Sequence, residues 1–66
     1  MRAWMEKARK AKNLTMKEAG ERLGISESYY SMIERGERKQ NLDVSLAKKI
    51  SNTFDVPLDY IIEQEI

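Results

Sequence analysis

A tight turn between two short helical segments constrains the fold of this chain more than any other feature. Residues 15–23 and 26–35 both carry helix-forming side chains, and only Gly24 and Ile25 stand between the first segment and Ser26, a favoured helix N-cap. Glycine readily adopts the left-handed conformation that ends a helix, and Ile25 supplies an apolar side chain beneath the turn. The spacing therefore predicts two helices that pack against each other across a glycine turn.

The same two segments carry further signals of helix ends and of close packing. Thr15-x-x-Glu18 has the form of a capping box, and Gly36 stands where a C-terminal glycine belongs. A glycine inside a helix costs about 1 kcal/mol relative to alanine, so Gly20 requires a packing reason. The small pair Ala19-Gly20 therefore predicts a close approach by another helix.

Three further helices complete an all-α prediction. Residues 2–12 read as a first helix that ends at Asn13, Asp43 caps a fourth, and Pro57 suits the first turn of a short fifth. The positions expected to face the core on the first and fourth helices are Trp4, Met5, Ala8, Ala11, Val44, Ala47, Ile50 and Phe54. No segment alternates with the two-residue period of a strand. We therefore expect a compact five-helix domain over residues 1–66.

The composition excludes several classes of protein. The 66 residues contain no cysteine and no histidine, so we expect no disulfide, no enzyme activity, no metal site and no other cofactor. Asp55, Asp59 and Glu63 lie four residues apart, but a single helical row is a poor calcium site. No apolar run approaches the roughly 18 residues of a membrane span, and the start lacks a secretory signal. These absences predict a cytoplasmic protein with no membrane partner and no evident small-molecule ligand.

Charge is distributed unevenly along the chain. Residues 1–39 carry ten Lys/Arg and six Asp/Glu, a net charge of +4, whereas residues 40–66 carry two and five, a net charge of −3. This asymmetry indicates a basic face that can meet a polyanion and an acidic region kept away from it. Chance segregation of charge in a small helical protein is the alternative explanation.

Four stretches, in this order and spacing, resemble the phage repressor and Cro family of helix-turn-helix domains, also called the XRE type. They are LTMKEAGERLGIS (14–26), SYYSMIERGER (28–38), AKKI (47–50) and VPLDYI (56–61). The resemblance implies a lambda-repressor-like domain with a helix-turn-helix at about residues 16–35. It also implies a regulator of transcription that binds double-stranded DNA in a bacterial or phage-infected cell. Such a domain is a homodimer, in solution or only on DNA, and inserts its third helix into the major groove of a palindromic operator.

Helical geometry selects the side chains of the third helix that would meet DNA. A rotation of 100° per residue places Tyr29, Tyr30 and Ile33 on a packing arc. The opposite arc holds Glu27, Ser28, Ser31, Met32 and Arg35. The base-reading positions of the family fall on Glu27, Ser28 and Met32. A carboxylate accepts a hydrogen bond from cytosine N4 and a methionine contacts a thymine methyl, whereas the simpler role for Glu27 is to complement the helix dipole.

Contacts to the DNA backbone are expected from basic and hydroxyl side chains around the third helix. The candidates are Arg9, Lys10, Lys12, Lys17, Ser26, Ser31, Arg35, Arg38 and Lys39. An ordinary solvated surface is the alternative for each lysine. Met16 departs from the family, which often has a phosphate-binding glutamine at this position. Methionine donates no hydrogen bond, although the backbone N–H groups at the helix start still do.

The resemblance also implies two structural roles. Arg9 and Glu34 match positions that form a buried ion pair, which fixes geometry more than it adds net stability. Tyr60, Ile61, Ile62 and Ile66 are more apolar than a short terminal segment needs, and we expect them to belong partly to the core and partly to the dimer seam that a palindromic site requires.

A second function class stays open at this point. Some relatives of the fold are antitoxin-like proteins or bind regulatory partners. Met16 and Glu27, together with the weak basic excess, favour such a protein-interaction module.

Overall fold

Five helices surround one apolar core in a computed structural model of the chain. The structure describes residues 1–36 and 42–66. Within these ranges the helices are α1 (Ala3–Ala11), α2 (Met16–Leu23), α3 (Glu27–Arg35), α4 (Val44–Phe54) and α5 (Leu58–Glu65), and no strand is present. The all-α prediction is therefore confirmed. None of the helices in the described ranges has both the length and the apolar character needed to cross a lipid bilayer.

Side-chain caps begin three of the helices, as the sequence predicts. The Thr15 hydroxyl accepts the backbone N–H of Glu18 at 3.1 Å, and the Glu18 carboxylate accepts the N–H of Thr15 at 2.9 Å. These hydrogen bonds, from the Thr15 backbone first and then its side chain, hold the pKa of Glu18 below its ordinary value. Ser26 and Asp43 each accept the backbone N–H three residues ahead, at 3.1 and 2.7 Å. The helices α2, α3 and α4 therefore start one residue after their caps.

Left-handed residues end the helices. Gly24 and Gly36 have φ values of 75° and 69°, and Asn13 has a φ of 57° after the end of α1. Asp55 also has a positive φ, of 55°, at the end of α4. Pro57 precedes α5 as its N-cap with ψ 140°, so it lies just before the first turn and not within it. Each turn redirects the chain so that successive helices cover the same core.

The core draws side chains from all five helices. Tyr30 of α3 is fully buried, and its ring meets that of Phe54 in a T-shaped contact with a centroid distance of 6.5 Å. The other buried apolar residues are Trp4, Met5, Ala8, Leu14, Ala19, Leu23, Ile33, Ala47, Ile50 and Ile61. Burial on α3 is confined to one arc, which leaves the other arc of that helix outside the core.

Three positions predicted to pack inward lie outside the core. Ala11 is exposed because it stands in the last turn of α1, next to the Asn13 turn. Val44 is 69% exposed, because among the described residues it lies at the open edge of the groove between α4 and α5, whereas Ala47 in the same turn is buried. Tyr29 is 40% exposed because it lies about 100° around α3 from the fully buried Tyr30. The apolar periodicity therefore predicts which face of a helix a residue occupies, but that residue is buried only where another element packs against the face.

Gly20 has the packing reason that the sequence requires, but its neighbour is not a helix side chain. A Cβ at this position would lie 3.0 Å from the carbonyl oxygen of Ile25 and 3.2 Å from that of Ser26. The close approach is therefore made by the backbone of the turn, where the chain enters α3.

Candidate nucleic-acid interface

The helix α3 presents one polar arc to solvent. Glu27, Ser28 and Arg35 are exposed, and Ser31 and Met32 are half-buried. We call these five residues the reading surface. The opposite arc holds Tyr30, Ile33 and Glu34, all of which are buried. The division of α3 into a reading surface and a packing arc agrees with its helical geometry, except for the exposed Tyr29.

An ion pair between Arg9 and Glu34 joins α1 to the buried arc of α3. The Arg9 Nε atom lies 3.1 Å from Glu34 Oε1, and Arg9 Nη1 donates to the carbonyl oxygen of Leu14 at 2.8 Å. Glu34 is fully buried and Arg9 is 8% exposed. The structure thus brings the two charges together, as the resemblance implies.

The same burial corrects one prediction. Arg9 was expected to contact a DNA phosphate as well as Glu34, but its guanidinium is enclosed and donates inward. A side chain that is 8% exposed and donates to a buried carboxylate and a backbone carbonyl has too little accessible surface to bind a phosphate. Arg9 therefore leaves the set of candidate backbone contacts.

Two polar atoms beside this pair are buried without a hydrogen-bond partner among the described residues. They are the Tyr30 hydroxyl oxygen and Glu34 Oε2. Burial raises the pKa of Tyr30, and the negative charge of Glu34 raises it further. Tyr30 is therefore a neutral core residue at ordinary pH.

The remaining candidates for backbone contacts occupy different environments. Lys17 is exposed in the first turn of α2. Lys10 is exposed, with its Nζ atom 3.8 Å from Glu6 Oε2, and Lys12 pairs with Asp55 after α4. Arg38 and Lys39 lie outside the described residues. Of the candidates Lys10, Lys12 and Lys17, only Lys17 forms no ion pair with a carboxylate of the described residues.

Ser26 caps the start of α3 with its side chain. Its Oγ atom accepts the N–H of Tyr29, which satisfies one of the helix-start donors. A hydroxyl that accepts one hydrogen bond still has its own hydrogen to donate. Ser26 is exposed, so its hydroxyl can donate to a phosphate at the same time.

Two residues near α3 carry interactions that the sequence does not reveal. Arg2 donates from its backbone N–H to the Glu34 carbonyl and from Nη1 to the Ile33 carbonyl, at 2.8 and 2.6 Å. Its guanidinium also pairs with Glu65 at the end of α5. The two residues are separated by 63 positions in the chain, and no local pattern connects them.

The predicted dimer seam on α5 is only partly available. Ile61 is 1% exposed and belongs to the core, so of the four residues it is the one that a second copy could not contact without rearrangement. The Tyr60 ring packs edge-on against Trp4 with a centroid distance of 6.4 Å. Ile62 and Ile66 are exposed and line an apolar groove between α4 and α5, together with Leu42, Val44, Ala47 and Leu58. The apolar surface that a second copy could contact is therefore the groove between α4 and α5, where Ile61 is almost fully covered.

The acidic row on the last part of the chain is not assembled as a metal site. Asp55 pairs with Lys12, and no group of three or more acidic residues in the described part of the chain is arranged to hold a metal ion.

Comparison with known proteins identifies the family. A family model described as helix-turn-helix matches residues 5–61. The chain is 38% identical over 61 residues to the uncharacterized HTH-type transcriptional regulator YqaE of Bacillus subtilis (strain 168), covering 92% of this chain and 51% of that protein. It is 44% identical over 50 residues to the uncharacterized HTH-type transcriptional regulator YqaF of the same organism, covering 76% of this chain and 63% of that protein.

The chain thus spans about half of the first of these relatives and under two thirds of the second. No solved structure matches it significantly. The matched family model nevertheless covers most of the chain, from α1 into α5, and includes α2, the Gly24 turn and α3. The family consists of DNA-binding proteins and not of enzymes. By this match, and by the arrangement of α2 and α3 across the turn, the chain belongs to the XRE-type helix-turn-helix family.

Proposed function

We propose that the chain is a sequence-specific regulator of transcription, of the Cro or repressor type, that reads a palindromic operator with α3. The observation that carries this proposal is the division of α3. Its buried arc is held by core packing and by the Arg9–Glu34 pair, while its reading surface is open to a ligand. A helix held rigidly on one side and polar on the other suits insertion into the major groove. Both curated relatives are named as HTH-type transcriptional regulators, which supports the same function.

The reading surface offers three chemically different contacts to base edges. The Glu27 carboxylate is exposed at the start of α3, where it can accept a hydrogen bond from cytosine N4. Ser28 is exposed beside it and can both donate and accept, so it suits more than one base. Met32 is half-buried, and its exposed part offers an apolar contact to a thymine methyl.

Affinity comes from groups around this surface. The candidates are Lys17, Ser26 and the N-terminal backbone N–H groups of α2, together with Arg35 in the last turn of α3. Arg38 and Lys39, which lie outside the described residues, are candidates from the sequence alone. Lys10 and Ser31 are further candidates. Met16 at the start of α2 leaves the backbone N–H groups to act without a side-chain amide. Because each neutralised phosphate releases counterions, binding weakens steeply as the salt concentration rises.

A palindromic operator requires two copies of the domain. Their reading helices must lie roughly 34 Å apart, one turn of DNA. The groove lined by Ile62 and Ile66 exposes apolar side chains that a second copy could cover, in solution or only on DNA. The regulator would then act as a homodimer in the cytoplasm, where the DNA lies, with no small-molecule ligand or cofactor.

Selection of bound sequences from a random pool of duplex DNA tests this proposal. We expect enrichment of two inverted half-sites separated by about 10 base pairs. The variant Glu27→Gln should then lose its preference at one base pair of each half-site, by about fivefold, because the amide also donates and no longer selects a cytosine N4 donor. Glu63→Gln on α5 is the control, because it changes the net charge equally and leaves the reading surface intact.

The alternative function predicts a different result. If no sequence is enriched and no duplex binds at low salt, the exposed apolar groove favours a protein partner, as in an antitoxin-like module. Enrichment of one sequence without inverted symmetry would contradict the homodimer and leave the reading of DNA by α3 intact.

A further inference from the structure

We infer that Arg2 and Glu65 are positioning residues for α3, so that docking of α5 holds the C-terminal end of the reading helix in place. This inference rests on the proposed function of α3. Neither residue belongs to the reading surface or to the candidate backbone contacts.

Arg2 occupies the C-terminal end of α3. The last four carbonyl groups of a helix have no partner within the helix. The backbone N–H of Arg2 donates to the Glu34 carbonyl at 2.8 Å, and Arg2 Nη1 donates to the Ile33 carbonyl at 2.6 Å. The Ile33 carbonyl also accepts the N–H of Gly36 at 3.1 Å. A cation at this end is favoured by the helix dipole, so Arg2 both satisfies carbonyl groups and complements their charge.

Glu65 orients the guanidinium that makes these contacts. Arg2 Nε lies 3.0 Å from each carboxylate oxygen of Glu65, and Arg2 Nη2 lies 2.8 Å from Oε1. The side chains of Arg2 and Glu65 are 11% and 23% exposed, so water screens the pair less than an ordinary surface pair. With Nε and Nη2 on the carboxylate, Nη1 is the nitrogen directed at α3. The planar fork of arginine spans both acceptors in this way, which a lysine ammonium does not.

A third contact fixes the carboxylate itself. The Trp4 indole Nε1 donates to Glu65 Oε2 at 3.2 Å, and the Trp4 ring packs against Tyr60. The last turn of α5 contains no basic residue, so a carboxylate there is opposed by the helix dipole unless a cation compensates it. Arg2 supplies that cation. The end of α5, the start of the chain and the end of α3 therefore form one connected unit.

Three variants separate this role from a general effect of charge. Glu65→Gln removes the carboxylate charge, and Glu63→Gln is its matched control, since Glu63 is exposed in the same turn of α5 and the carboxylate that pairs with Arg2 is that of Glu65. Arg2→Lys keeps the cation and removes the fork. Two-dimensional ¹H–¹⁵N spectra of the free proteins should show shifted amide signals for residues 32–36 in Glu65→Gln and Arg2→Lys, but not in Glu63→Gln.

Binding measurements on duplex DNA form the second readout. Glu65→Gln should bind the selected operator about three- to tenfold more weakly than Glu63→Gln, while both bind a random duplex within about twofold of each other. Unchanged amide signals of residues 32–36 in both Glu65→Gln and Arg2→Lys would overturn the inference, as would equal operator binding by Glu65→Gln and Glu63→Gln. If the unchanged protein binds no DNA, the proposed function fails, and the spectra alone still decide whether Arg2 and Glu65 position α3.

Discussion

Replacing Glu34 by glutamine provides the most direct test of how α3 is held. Glu34 is fully buried, and its Oε1 atom is 3.1 Å from Arg9 Nε. The variant keeps the shape of the side chain and removes only its charge. Arg9 would then remain buried with two neutral acceptors, the glutamine oxygen and the Leu14 carbonyl.

The expected loss of stability follows from the burial of both groups. Removing one partner of a buried ion pair costs about 3–5 kcal/mol, because the other charge is left uncompensated. Because two acceptors remain for Arg9, the loss in Glu34→Gln should be somewhat smaller than this range, at about 2–3 kcal/mol. A domain of this size has a total stability of about 3–10 kcal/mol, so the change removes a large fraction of it.

Urea unfolding followed by tryptophan fluorescence measures this loss. Trp4 is the single tryptophan and is 8% exposed, so its emission reports on core opening. With a urea dependence of about 1 kcal/mol per molar, the midpoint of Glu34→Gln should fall by about 2 M. The control Glu21→Gln makes the same chemical change at an exposed position on α2 and should shift stability by less than about 0.5 kcal/mol.

A double variant distinguishes the ion pair from simple packing. Arg9→Met with Glu34→Met replaces both charges by apolar groups, and it should lose less stability than the two single substitutions summed. An unfolding midpoint of Glu34→Gln equal to that of Glu21→Gln would refute the reasoning, since it would mean that the charge of Glu34 does not hold Arg9.

Five further substitutions, at four positions, test other parts of the fold. Gly20→Ala should change the free energy of unfolding by less than about 1 kcal/mol, because the higher helix propensity of alanine offsets the tight contact of its Cβ with the Ile25 carbonyl oxygen. Gly20→Leu adds a larger side chain at the same contact and should cost more than about 2 kcal/mol, as measured by urea unfolding. Because the pKa of Tyr30 is raised in the folded protein, the contribution of Tyr30 to the free energy of unfolding is complete below the ordinary tyrosine pKa of about 10 and decreases as pH rises above that value. Tyr30→Phe should therefore show a smaller decrease in melting temperature at alkaline pH. Because the pKa of Glu18 is lowered in the folded protein, the ionised Glu18 stabilises the fold above the ordinary glutamate pKa, and this stabilisation is lost as pH falls through the lowered pKa. Glu18→Gln should therefore lack this part of the decrease in melting temperature at acidic pH. Thr15→Ala should lose about 1 kcal/mol of stability, because it removes the helix cap.

Local features of the fold could be predicted because they depend on neighbouring residues. The capping box of Thr15 and Glu18, the caps Ser26 and Asp43, and the left-handed Gly24 all involve contacts within about four positions. Such contacts recur wherever the same residues occur at the same spacing. The helix count and the division of α3 into two arcs follow from the same local rules.

Burial at the ends of helices could not be predicted in this way. Val44 continues the apolar periodicity of α4, yet among the described residues it lines an open groove and is exposed, whereas Ala47 in the same turn is buried. Ile61 and Ile62 are adjacent and equally apolar, but one is in the core and the other lines the groove. Which residue of such a pair is buried depends on where distant helices lie.

The sequence by itself determined the helices, their caps, the glycine turn and the arc of α3 that faces outward, because each depends on short-range geometry. The family resemblance implied the buried Arg9–Glu34 pair, but only the tertiary structure decided that this burial keeps Arg9 from a phosphate and that Arg2 joins the end of α3 to Glu65, 63 positions away. Those interactions require the chain to bring distant charges together in a partly dry environment, where they no longer behave as solvated side chains. Sequence patterns specify which residues carry charge, whereas packing specifies which of those charges remain accessible to a ligand.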